Sequence, residues 1–230
     1  MPCLKQSFHT LRVRVGVDCM RRSNPEALAR FDGACRNAEA EMSPAVREAA
    51  RQWQTMRPHA GGLRPIAGMV ARALLRENRV QDALELYDVA ARQVPDYTSW
   101  HLEYVYFGLA CREKLAGTLS EADRETAARA IREGEFLLAR GFSETGLTER
   151  YVGRLHQLRG EWAAAIPPLL AARTRLGAED LVACDQALVV SYAKTGRIGE
   201  AEALIEDGIR HSGRFAEVYR QLRAELPDAR

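Results

Sequence analysis

Five histidines (His9, His59, His101, His156, His211) and five cysteines (Cys3, Cys19, Cys35, Cys111, Cys184) are the side chains best suited to metal or nucleophile chemistry. The histidines fall in five separate segments, none forms H-E-x-x-H, and none stands near a cysteine at ligand spacing, so no metal site is expected. His156 is expected to pack in a core. The cysteines are odd in number and scattered without a C-x-x-C pair, which fits free thiols in a reducing compartment. No G-x-S-x-G, Walker loop or G-x-G-x-x-G occurs. Carboxylates such as Glu133 and Glu135 sit in helical patterns and are expected on solvated faces, so no catalytic residue and no cofactor is expected and the chain reads as non-enzymatic. What remains is arginine: 30 residues against 3 lysines. Such a ratio follows either from GC-rich codon usage or from a need for forked donors that grip carboxylate or phosphate.

The elements that must position these arginines are helices. Of 230 residues, 47% are hydrophobic and 28% charged, and 33 basic against 31 acidic side chains leave a formal charge of +2. That composition suits one sizeable soluble core and imposes no field that would draw in nucleic acid or a membrane. No run of about 18 apolar residues is present, so no membrane span is expected. Past residue 24, apolar positions recur at three- and four-residue spacing with Gly or Pro between segments, which predicts helices at 24–40, 44–57, 64–77, 80–93, 97–115, 120–139, 146–159, 162–175, 180–195, 198–211 and 214–225. Asn24-Pro25, Ser43-Pro44 and the Ser120/Asp123 pair are start signals. Pro167-Pro168 is expected to kink the helix that contains it. Residues 1–23 carry five basic groups and one acid, with Leu11, Val13, Val15 and Val17 alternating with Arg12, Arg14 and Gly16. They read as a basic extended arm, an organellar presequence, or an extension ahead of a true start at Met20.

Short connections imply antiparallel hairpins, and small residues align at equivalent offsets of a 34-residue unit, with 44, 38 and 36 residues between successive units. Ala83, Ala127, Ala165 and Ala201 stand at one repeat position; Tyr87, Leu169 and Ile205 follow four residues later, and Ala90, Ala172 and Gly208 seven residues later. Gly153 marks the crossing point on a first helix. Small residues let two helix axes approach, and large ones fill the wedge between pairs. In residues 76–95 (RENRVQDALELYDVAARQVP) and 192–208 (YAKTGRIGEAEALIEDG) the chain resembles the tetratricopeptide repeat family. The resemblance implies an all-α, antiparallel helix-hairpin solenoid over 24–230: a degenerate repeat at 30–61 with Ala49 and Trp53, repeats at 64–97, 146–179 and 182–215, an elongated one at 98–142, and a capping helix at 214–225.

The family's inner, concave wall is built by first helices, and carried over to this chain it would present Arg72, Leu75 and Arg76, then Leu102 and Tyr106, then Arg150, Arg154 and Gln157, then Gln186, Val190 and Lys194. Five cations and no acid stand at those positions, which implies a basic groove with one aromatic, suited to an acidic peptide or protein segment. Where members of the family clamp a C-terminal carboxylate, this chain has Gly68, Arg72 and Glu103, so that mode is not expected. Trp53, Trp100 and Trp162 are expected in packing positions. The function implied is a cytoplasmic scaffold or adaptor that binds another protein; with a presequence the location becomes an organellar matrix. The alternative is nucleic-acid binding, because 192–208 also resembles a pentatricopeptide repeat; a helical subunit of a large ribonucleoprotein assembly is a third reading.

Overall fold

The computed structural model describes residues 71, 74–93, 99–141 and 145–226, which are α-helical apart from turns and one 3-10 turn. The expectations on 1–70, on Arg72 and on the side chains of Ala90 and Trp100 lie outside the described residues. The helices are α1 (Val80–Gln93), α2 (Ser99–Ala116), α3 (Glu121–Ala139), α4 (Leu147–Leu158), α5 (Trp162–Arg173), α6 (Ala178–Lys194), α7 (Ile198–His211) and α8 (Ala216–Glu225), with the 3-10 turn Gly213–Phe215 leading into α8.

The chain divides into two compact units, Met1–Pro95 with Cys111–Gly117, and Asp96–Ala110 with Thr118–Arg230. In the first unit, Asn78 takes a left-handed backbone (φ 58°) and the Asn78 and Arg79 amides donate to the carbonyls of Leu75 and Leu74, closing the helical turn before α1. Asparagine tolerates that conformation better than other side chains that carry a Cβ. Ala83, Leu86 and Tyr87 of α1 are fully buried, and Arg112 donates to Asp88 at 2.7 Å.

In the second unit each helix from α3 onward packs against the next in the chain. One core joins Leu102, Tyr106 and Leu109 to Ala127, Ile131 and Leu137 and to Tyr151, Val152 and Leu155. A second joins Ala165 and Leu169, Leu188 and Tyr192, Ala201 and Ile205, and Tyr219 and Leu222. Each fully buried Leu or Ile contributes about 1.5–3 kcal/mol from its apolar area.

The small residues sit where helices cross. Ala127, Ala165 and Ala201 are buried to within a trace. A Cβ at Gly153 would lie 2.5 Å from the Leu169 side chain, and one at Gly208 would run into the Tyr219 ring. Side chains at these two positions would force the helices apart.

Helix α3 begins with a complete capping box: Ser120 Oγ accepts from the Asp123 amide at 3.2 Å, and Asp123 Oδ2 accepts from the Ser120 amide at 3.3 Å. Helix α5 continues through Pro167 and Pro168. Those prolines leave the carbonyls of Ala163 and Ala164 without helical donors, and both alanines lie on the exposed side, where water can serve instead.

Candidate functional site

The three-to-four spacing of α4 places Arg150, Arg154 and Gln157 along one side of that helix, between residues of α2 and α6. Arg154 donates from Nε to Tyr106 Oη at 2.8 Å, gives Tyr106 a second and shorter bond from Nη2, and donates from Nη1 to Gln157 Oε1 at 3.0 Å. Gln157 is buried and passes the chain onward: its Nε2 donates to the Ala187 carbonyl at 2.6 Å and to Ser191 Oγ at 2.7 Å. Tyr106, Arg154, Gln157 and Ser191 thus form one line of hydrogen bonds across α2, α4 and α6.

The charge balance along this line is uneven. Arg154 is half-buried, yet its hydrogen-bond acceptors are a phenol and an amide, both neutral. Its neighbour Arg150, one turn earlier on α4, has a side chain only 12% exposed and pairs through Nη1 with Asp180 at the start of α6. Arg150 Nε is buried and has no acceptor among the described residues. Among the described residues Arg150 is therefore paired with one carboxylate and Arg154 with none.

Of the expected wall, Tyr106, Arg154 and Gln157 come into direct contact, and Gln157 reaches the helix that carries Gln186 and Lys194. Lys194 is exposed, with Nζ 6.0 Å from the centre of the Trp162 ring; Gln186 is partly buried and Val190 is 40% exposed. Arg76 is exposed in the first unit, and Arg72 lies outside the described residues. Asp180 was not among the wall positions read from the sequence, so Arg150 carries a carboxylate partner that the expected groove lacked.

A second polar cluster ties the end of the chain together. Asp185, 1% exposed, accepts from Arg173 Nε at 2.8 Å and from the Tyr219 hydroxyl at 2.8 Å. Arg173 also donates from Nη2 to Asp207 at 2.9 Å, and Asp207 meets His211 Nδ1 at 2.9 Å. Burial and the Asp185 carboxylate push the Tyr219 hydroxyl above its ordinary range. The line runs from α8 through α6 and α5 to α7, and it locks helices rather than offering an open reactive group.

Glu133 corrects an expectation: it is 6% exposed, and its Oε2 lies 3.0 Å from Nδ1 of the buried His101, while Glu135 is exposed as expected. His156 is partly buried with Nδ1 2.7 Å from Glu161 Oε2, a carboxylate that also accepts from Arg159. Burial pushes the Cys111 thiol up to about 11 and the Cys184 thiol up to about 12, so neither is poised as a thiolate. No group of three His, Cys, Asp or Glu among the described residues is arranged to hold a metal ion, and no described helix is long and apolar enough to cross a membrane.

The buried acids left a trace in the sequence. Asp185 interrupts the apolar stripe Val182, Leu188, Val189, Tyr192, and Glu133 interrupts Ala127, Ala130, Leu137. A carboxylate on such a stripe must find a donor on a packed neighbour. No protein-family model, no curated protein and no solved structure matches the chain.

Proposed function

We propose that this chain is a non-enzymatic adaptor: a tetratricopeptide-like array of helical hairpins whose first helices hold an acidic segment of another protein. Arg154 carries the reading. A half-buried guanidinium that has only neutral acceptors keeps an unbalanced positive charge, and a carboxylate supplied by a partner would balance it. Tyr106 and Gln157 hold the Arg154 fork in one orientation, which lowers the ordering cost of binding. Lys194 adds a second exposed cation, and Val190 an apolar contact, on the neighbouring α6. The hairpin register is supported by the burial of Ala127, Ala165 and Ala201 at one repeat position and of Gly134, Ala172 and Gly208 seven residues on.

Calorimetry of the full chain with a glutamate-rich peptide and with its glutamine counterpart tests the proposal. Only the acidic peptide is expected to bind, and Arg150→Ala/Arg154→Ala should weaken it by about tenfold or more with helicity retained. Binding that survives the double substitution removes the groove. Preference for RNA, with affinity falling steeply as salt rises, would favour the nucleic-acid reading instead.

A further inference from the structure

We propose that Asp180 is an internal stand-in for the partner's carboxylate, which masks Arg150 so that an incoming acid meets Arg154 alone. The inference rests on the adaptor reading and adds the residue that sets how many guanidinium groups the site exposes. Arg150 and Arg154 lie one turn apart on the same side of α4, so both belong to one anion site by position. They differ in what occupies them: Arg154 has a phenol and an amide, whereas Arg150 has the Asp180 carboxylate.

The pair is lopsided in exposure. The Arg150 side chain is 12% exposed and that of Asp180 is 50% exposed, so the acid is the solvent-facing member of the pair. Asp180 lies in the first turn of α6, where the field of the helix N-terminus favours a carboxylate, and Gly177 at the N-cap supplies no side-chain cap that would compete for that turn. The mask is also incomplete. Asp180 is bonded through Arg150 Nη1, while the buried Nε has no acceptor. Removing the Asp180 charge would leave Arg150 Nη1 without a charged partner beside Arg154, and two adjacent guanidinium groups can hold a carboxylate cluster that one holds weakly.

Titration of the full chain with hexaglutamate, and with hexaglutamine as the uncharged control, provides the test. Asp180→Asn should bind hexaglutamate about tenfold more tightly than the unmodified chain. Glu179→Gln removes the same charge one residue away, from an exposed acid paired with Arg214; it should change affinity by less than about twofold. Arg150→Gln/Asp180→Asn, which removes both members of the pair, should bind within about twofold of the unmodified chain, since neither then adds to or subtracts from Arg154.

Equal or weaker binding by Asp180→Asn overturns the mask while leaving the adaptor intact, and so does equal tightening by Glu179→Gln. If Asp180→Asn does not fold, a large loss of affinity in the double variant Arg150→Gln/Asp180→Asn overturns the mask by itself. Absence of hexaglutamate binding in both the unmodified chain and a folded Asp180→Asn overturns the adaptor and the mask together.

Discussion

Asp207 shows how single residues set the behaviour of the C-terminal helices. A hydrogen bond from Arg173 holds its carboxyl below the ordinary aspartate range; desolvation opposes this, and His211 adds to the lowering. A group whose folded value is depressed stabilises the fold above its unfolded value, near 3.8 for aspartate. That contribution is lost as pH falls through the lower folded value. Urea midpoints of the unmodified chain and Asp207→Asn should therefore differ at neutral pH and converge in strong acid; a difference independent of pH would contradict the pairing. At this scale the sequence was only partly legible. Tyr106, Arg154 and Gln157 were read on one wall, and they are in contact. Asp180 was invisible because its partner is 30 residues away, a distance over which local periodicity carries no information. Glu133 was read onto a solvated face and Asp185 was not singled out, because their donors, His101 in one case and Arg173 and Tyr219 in the other, emerge only when helices pack.

Helices themselves were far easier to read than their partners. The 80–93 and 198–211 segments have the bounds expected from spacing, and the described ends of the others lie within about two residues, because local periodicity and end signals act within one or two turns. Ser120 and Asp123 illustrate this, since both halves of the box lie within four residues. Ser120→Ala should cost about 1 kcal/mol, read as a lowered urea midpoint with an unchanged slope. An unchanged midpoint would show that the box adds nothing to α3. The proline pair lies inside the helix expected at 162–175, and that helix runs through it. A helix interior normally rejects proline, but at 167 and 168 the freed carbonyls belong to exposed alanines. Sequence marks where a break is costly; solvent exposure on the packed helix determines whether that cost is met.

At the scale of the whole molecule, each helix from α3 onward packs on its successor. Hydrogen bonds between the alternate helices α2, α4 and α6 then place Tyr106, Arg154 and Ser191, separated by 48 and 37 residues, on one line through Gln157. The recurrence of small residues at Ala83, Ala127, Ala165 and Ala201 was legible, while the balance of charge along the resulting face was not, because it depends on which acids the neighbouring helices deliver. The most direct measurement of partner docking is an amide and side-chain NMR titration of the full chain with a glutamate-rich peptide. Expected are saturable shifts centred on the Arg154 guanidinium, the Gln157 side-chain amide and the Val190 and Lys194 amides, with the glutamine peptide silent. Shifts scattered over unrelated helices, or none at a concentration that saturates an anion site, would contradict docking at Arg154.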